Sequence, residues 1–253
     1  MTEHDHASWP AKQKAFIVST GRTGTDFFTS LFNDHISNTW SLHEPKPAFR
    51  ARSYQLVGRS HTIFEKYYFK IPRKRRHKDH PEKWYIETNY HLFAAMPLIR
   101  DAFADSFIIH IVRDGREVVT SWLNKYRYIT NDHITPYDIP GDPAQHYWNK
   151  WNPLQKLSWY WRTVNEIVET QQPDLWLHFE KIFQNHQDDL AELLKRMEGI
   201  DYDWEQVRAI ASRKVNKTQQ PFFPHYVEWP LHWQDQFLAI AGDTMERYGY
   251  RIE

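Results

Sequence analysis

Ser19-Thr20-Gly21-Arg22-Thr23-Gly24-Thr25 stands between an unbroken apolar run, Ala15-Phe16-Ile17-Val18, and a segment in which Phe27, Phe28, Leu31 and Phe32 fall three and four apart. The run reads as a strand buried on both faces, and the spacing as an amphipathic helix. Glycines between two such elements let the backbone turn tightly and aim successive N–H groups at one point. The unpaired N–H groups and dipole of the helix start add to them. Arg22 supplies a fixed charge, the hydroxyls of Thr23 and Thr25 supply donors, and Asp26 follows at the helix start. The chemistry this suits is phosphate binding. The loop is neither of two familiar nucleotide loops: no lysine stands between Gly21 and Thr25, and it has only two glycines, three apart.

A second cationic group has the same setting. Arg113 ends the apolar run 107–112, and Ser121 lies eight residues later on the helix expected to follow. In an open parallel sheet, ligands gather at the C-terminal ends of the strands, so the two arginines share one rim. Arg113 can hold a phosphate through its planar fork while Ser121 donates a hydroxyl; Asp114 or Arg116 could instead pair locally. Two anion sites on one rim suit a ligand with phosphates at both ends. The segment Leu42-His43-Glu44-Pro45-Lys46-Pro47 should return to the same edge. There the Glu44 carboxylate, oriented between prolines, can take a proton from a hydroxyl, and His43 is the alternative base. Pairing of Glu44 with Lys46 or an arginine is the plainer reading.

These groups need a scaffold. The order strand, glycine-containing turn, helix recurs at 107–112, with Val118, Val119, Trp122 and Leu123 forming the apolar face of a helix from about Glu117. Residues 175–179 read as a further strand, 38–42 and 84–86 as weaker ones. Helices are expected over 94–103, 188–197, 204–211 and 233–248, the last stopping at Gly249. The alternation predicts one α/β domain over 14–253, with a central, mainly parallel sheet flanked by helices, behind a polar leader at 1–13. Residues 66–83 form a basic excursion, and 126–161 an aromatic-rich acceptor cleft or lid.

Composition narrows the function classes. The 253 residues carry 32 basic and 32 acidic side chains, so no global field favours nucleic acid. There is no cysteine, which excludes disulfides, thiolate catalysis and cysteine-ligated zinc. No apolar run approaches the ~20 residues that span a bilayer, and the polar start lacks a signal-peptide core. A cytoplasmic protein is expected. The 15 histidines make no His-Glu-x-x-His set, so no metal is expected, and His110, inside an apolar strand, reads as a core residue. Twelve tryptophans point to an aromatic core, with Trp148, Trp151, Trp159 and Trp161 in surroundings polar enough to line a groove.

Taken together, these residues resemble the sulfotransferase family, whose donor is 3′-phosphoadenosine-5′-phosphosulfate. The loop 16–25 is similar to the family's 5′-phosphosulfate loop, and 111–121 to its 3′-phosphate motif, with an arginine and a serine eight apart. Leu177-His178-Phe179-Glu180-Lys181-Ile182 and the ending Met245-Glu246-Arg247-Tyr248-Gly249-Tyr250 resemble two further landmarks. Arg22 makes the loop more like the carbohydrate, tyrosyl-protein and bacterial branches than the phenol and steroid branch. Asp26, where threonine is common, and Gly115, where proline is frequent, depart from the pattern; Asp26 is expected to cap helix N–H groups and Gly115 to loosen its turn.

The resemblance implies a P-loop-like nucleotide-binding fold. It also implies transfer of a sulfuryl group to an acceptor hydroxyl, leaving adenosine 3′,5′-bisphosphate and requiring no metal. In this reading Thr20 to Asp26, Arg113 and Ser121 bind the donor and Arg22 stabilises the phosphosulfate. Glu44 is the base, as in bacterial and tyrosyl-protein relatives with a similar Glu-Pro setting, with His43 as the alternative. Arg213 and Lys217 belong to a basic segment that the family often lays over the nucleotide. The acceptor is a small molecule, glycan or glycolipid; Lys70, Arg73, Lys74, Arg75 and Arg76 could receive an anionic one or form a solvated face. Two other functions fit the same sheet: a kinase-like phosphoryl transferase, and a non-catalytic nucleotide-binding interaction protein.

Overall fold

A computed structural model describes residues 13–45, 84–125, 134–183, 187–213 and 223–252. The strands are β1 (Gln13–Ser19), β2 (Ile36–Ser37), β3 (Thr39–His43), β4 (Trp84–Thr88), β5 (Ser106–Val112), β6 (Leu175–His178) and β7 (Asp201–Tyr202). Five of them form a sheet in the order β3-β4-β1-β5-β6, and every pairing in it is parallel. β2 and β7 pair antiparallel beside it. As the central strand, β1 buries Ala15, Phe16, Ile17 and Val18 completely, which is why its sequence does not alternate.

Successive β1 residues face opposite layers. Phe16 and Val18 join Ile108, Trp159, Tyr160 and Val164 in one core cluster, while Ala15 and Ile17 join Ile109, Ile111, Phe28, Leu31 and Phe32 in another. The helices are α1 (Thr25–Asp34), α2 (Met96–Ala102), α3 (Gly115–Leu123), α4 (Pro153–Thr170), α5 (Phe179–Phe183), α6 (Asp188–Arg196), α7 (Trp204–Ala211) and α8 (Leu231–Arg247). They lie on both faces of the sheet, in the single α/β layering that the alternation predicts. None of the described helices is long and apolar enough to cross a membrane.

Two elements differ from expectation. α3 begins at Gly115 rather than near Glu117, because the Asp114 side chain caps it, accepting the Arg116 N–H at 2.9 Å. α4, the longest of the described helices, lies partly in the stretch read as an acceptor cleft. It starts with a capping box in which Asn152 accepts the Gln155 N–H at 3.0 Å and Gln155 accepts the Asn152 N–H at 3.1 Å. Trp148, Trp159 and Trp161 are core residues, while Tyr137 and Tyr147 stay exposed. Residues 66–83 and 126–133 lie outside the described residues.

Candidate active site

Because all five strands run the same way, their C-terminal ends open onto one edge. That edge receives the loop after β1, Glu44 after β3, the turn Tyr90–Leu92 after β4, Arg113 after β5, and Phe179 and Glu180 after β6. Residues far apart in sequence meet there because of topology alone.

The loop after β1 uses left-handed backbone at Gly21, Arg22 and Gly24, with φ of 75°, 60° and 73°. At Gly24, the N-cap of α1, an added Cβ would lie 2.9 Å from Phe183 Cζ, so both conformation and space require glycine. Inside the turn, Ser19 Oγ accepts the Gly21 N–H at 3.1 Å and the Thr23 hydroxyl at 2.7 Å. The N–H groups from Arg22 to Asp26 have no acceptor among the described residues. They are therefore free to converge on an anion.

The start of α3 is built differently. The Asp114 N–H goes to Glu180 Oε1 at 3.0 Å, the Gly115 N–H to Met245 Sδ at 3.3 Å, and the Arg116 N–H to its own cap. Here the anion must be read by side chains. Trp161 Nε1–H donates to the Arg113 carbonyl at 3.0 Å, and its ring would lie 2.9 Å from a Cβ on Gly115. Gly115 is thus a close-packing position, not a loosened turn. Asp114 and Arg116 pair with each other at 2.6 Å, which leaves Arg113 as the cation on the rim.

The two sites brace each other. Arg22 Nε–H donates to Ser121 Oγ at 2.9 Å, and Arg113 Nη1–H donates to the Arg22 carbonyl at 2.7 Å. The second bond holds the non-glycine left-handed residue in place. Burial lowers the pKa of both arginines, and the charge of Arg113 lowers that of Arg22 further. Among the described residues no carboxylate forms an ion pair with Arg22, and Arg113 has only Glu117, at 3.4 Å. Arg113 Nε is buried without a partner. Two confined cations, neither held by a close bidentate ion pair among the described residues, are suited to an anion with charge at both ends.

Beside the loop, Asp26 does not cap α1. Its Oδ1 lies 3.0 Å from His43 Nε2, which is also 3.4 Å from Glu44 Oε1. His43 Nδ1 is 3.0 Å from Thr88 Oγ1, itself 2.9 Å from Thr29 Oγ1. A ring nitrogen between two carboxylates carries a proton, so Nε2–H is the donor toward Asp26 and Glu44, and Nδ1 faces the Thr88 hydroxyl. Glu44 has φ 42°, its N–H bonded to the Thr88 carbonyl at 2.9 Å. Burial raises its pKa, the His43 charge opposes this, and Asp26 raises it again.

The sequence reading missed His91, buried in the turn after β4 with Nε2 3.9 Å from Glu44 Oε2. The sole clue was a histidine just past a parallel strand. Thr88 was missed with it. Arg213 is exposed beyond α7 and makes no side-chain contact with Arg22 or Arg113 among the described residues; Lys217 lies outside them. His110 is fully buried, Nε2 3.0 Å from Asn165 Oδ1, and takes no part in the rim. No group of three or more His, Asp or Glu among the described residues is arranged to hold a metal ion.

Three solved structures overlay most of the chain. The sulfotransferase domain from the curacin biosynthetic pathway is 13% identical, with a TM-score of 0.53 over 94% of this chain and 98% of its own. A sulfotransferase from Alicyclobacillus acidocaldarius is 12% identical, with a TM-score of 0.46 over 94% of both chains. Mouse sulfotransferase SULT7A1, complexed with PAP, is 13% identical, with a TM-score of 0.47 over 94% of this chain and 83% of its own. The identities are low enough that the first likeness speaks for the fold alone. Among curated sequences no significant match is found. The family model described as "Sulfotransferase domain" matches residues 12–243, from the start of β1 into α8, and on that match the chain belongs to the sulfotransferase domain family.

Proposed function

We propose that the chain transfers a sulfuryl group from 3′-phosphoadenosine-5′-phosphosulfate to an acceptor hydroxyl, with the loop after β1 as a P-loop-like cradle. The observation that carries this reading is the pair of partly buried, mutually braced arginines, one beside a run of N–H groups with no acceptor among the described residues and the other walled in by side chains. The free N–H groups and Arg22 suit the 5′ end of the donor, and Arg113 with the Ser121 hydroxyl suits the 3′-phosphate. When bound, the donor would supply the sulfuryl group and leave as adenosine 3′,5′-bisphosphate.

Arg22 and the loop N–H groups would hold the oxygens that gain charge; one such donor is worth about 3 kcal/mol in a transition state. Since arginines meet that charge, the reading calls for no metal ion. Glu44 is the base: His43 Nε2–H is committed to Asp26 and Nδ1 to Thr88, whereas Glu44 Oε2 has, among the described residues, only His91, at 3.9 Å. Burial raises the pKa of Glu44, which makes it a stronger proton acceptor than an ordinary glutamate. His43 would orient the carboxylate. The acceptor is proposed to be a small-molecule, glycan or glycolipid hydroxyl.

Isothermal titration calorimetry with adenosine 3′,5′-bisphosphate, against ATP with magnesium, tests the donor. Micromolar or tighter bisphosphate binding with much weaker ATP binding is expected. A preference for ATP would move the chain to phosphoryl transfer, and silence for both would leave a pocket that binds neither.

A further inference from the structure

The second anion site has a backing that the transfer reading does not use. The Tyr250 hydroxyl donates to Glu180 Oε2 at 2.8 Å, and Glu180 Oε1 accepts the Asp114 N–H at 3.0 Å. Tyr250 lies just past α8, in a turn that fixes its direction. The Tyr250 N–H bonds to the Met245 carbonyl at 3.0 Å and the Gly249 N–H to the Glu246 carbonyl at 2.8 Å, around a left-handed Gly249 with φ 77°. This is the Schellman arrangement of a helix end. The His178 ring stands edge-on to Tyr250 at 6.1 Å, and His178 Nε2 lies 3.2 Å from the Tyr248 carbonyl. A strand end and a helix end together aim the phenol.

Glu180 is a potential rival for Arg113. Phe179, its neighbour, lies 4.4 Å from the Arg113 guanidinium, and the charge of Glu180 favours the protonated arginine. A carboxylate so close would compete with a phosphate for the guanidinium fork. Yet the carboxylate that Arg113 touches is Glu117, at a loose 3.4 Å, while both oxygens of Glu180 are engaged elsewhere. We propose that Tyr250 is a positioning residue for the second anion site: its hydroxyl holds the Glu180 carboxylate against the Asp114 backbone and away from the Arg113 guanidinium, leaving the fork to the 3′-phosphate. This rests on the donor reading above. Burial, and then the Glu180 charge, push the Tyr250 hydroxyl strongly upward, so it stays a donor at any working pH.

The test uses the full chain, Tyr250→Phe, Glu180→Gln and the double variant, titrated with adenosine 3′,5′-bisphosphate and with adenosine 5′-phosphate. A hydrogen bond to a charged group is worth roughly tenfold or more in an equilibrium. Tyr250→Phe should therefore weaken the bisphosphate about tenfold and leave the monophosphate within about twofold. Glu180→Gln added to Tyr250→Phe should restore the bisphosphate, because the neutral amide still accepts the Asp114 N–H but does not compete for Arg113. Equal weakening of both ligands, or a double variant no better than the single one, would make Tyr250 merely structural and overturn the proposal. Should the parent bind both ligands equally, the donor reading has failed, and the positioning claim is judged on the ligand-free chain. There the Arg113 Nε–H resonance should shift in Tyr250→Phe and return in the double variant; an unmoved resonance overturns it.

Discussion

His110 couples the stability of the site's central scaffold to pH. It lies in β5, three residues before Arg113, with no exposed surface. Asn165 Nδ2–H donates to the Trp161 carbonyl at 2.9 Å, so Asn165 Oδ1 is turned to His110 Nε2 at 3.0 Å and fixes the Nε2–H tautomer. Nδ1 then faces the core without a partner, and a second proton there would be an unsatisfied buried donor. Burial accordingly lowers the pKa from 6.5 to about 3. In the unfolded chain the ring takes up a proton below its ordinary value near 6.5, while in the fold it stays neutral down to about 3. The stability held by the neutral ring is complete above 6.5 and is lost as pH falls from there toward 3. At 1.36 kcal/mol per unit, the whole window is worth of the order of 5 kcal/mol, and the part between pH 7 and 4.5 about 2.5 kcal/mol. His110→Gln keeps a donor for Asn165 and removes the titration. Urea unfolding of both proteins at pH 7, 6.5, 5.5 and 4.5 should show the parent losing about 2.5 kcal/mol more than the variant across the series. Parallel stability curves would refute the assignment of this pH dependence to His110.

Glu44→Gln should leave bisphosphate affinity unchanged and lower turnover with a validated acceptor by about a hundredfold or more; undiminished turnover removes Glu44 as base. Arg113→Ala should weaken adenosine 3′,5′-bisphosphate by roughly tenfold to a hundredfold, and adenosine 5′-phosphate far less, with equal losses showing that Arg113 does not read the 3′-phosphate. The acid limb of kcat/KM should lie above the ordinary glutamate value, because burial and then Asp26 raise Glu44 against the opposing His43. Asp26→Asn should move that limb to lower pH, and a stationary limb would separate it from Glu44. Gly115→Ala would put its Cβ 2.9 Å from Trp161, so it should cost about 1–3 kcal/mol in thermal or urea unfolding and weaken bisphosphate binding with it. An alanine variant as stable as the parent would mean that the indole yields freely.

The central elements were legible because one local signal sufficed for each. β1 and β5 are unalternated apolar runs because both faces of a central parallel strand are covered, and α1 shows its stripe at Phe27, Phe28, Leu31 and Phe32. Arg22 and Arg113 stood out because packing gives no reason for a charge at those strand ends. α4 was obscured by its composition: Trp159, Tyr160 and Trp161, buried from three successive positions, gave no single stripe, and their aromatic richness imitated a ligand cleft. His91 sits in a three-residue turn, too short to have a period. The Tyr250–Glu180 bond spans 70 residues, and nothing local in either segment announces it. What escaped the sequence was pairing, the relation that parallel topology creates between distant strand ends.

The same pairing explains the chain's two departures from the family pattern. A carboxylate at position 26, in the first turn of the helix that follows the anion loop, should repel a polyanion and compete for the loop N–H groups. Asp26 does not take those N–H groups, because His43 draws its carboxylate sideways toward Glu44, whose pKa its negative charge helps to raise. Gly115 in turn lets the Trp161 indole reach the Arg113 carbonyl, and the Met245 sulfur and Glu180 complete the wall around residues 113–115. The first anion site is thus specified by backbone and tolerates changes in side chains that turn away from it. The second is specified by side chains locked to a fixed backbone, so it depends on residues as distant as α8 and Tyr250. Variation should accordingly be harmless at different places in the two: around the cradle only in side chains that turn away from it, as Asp26 does, and around Arg113 only where the packing wall is left intact.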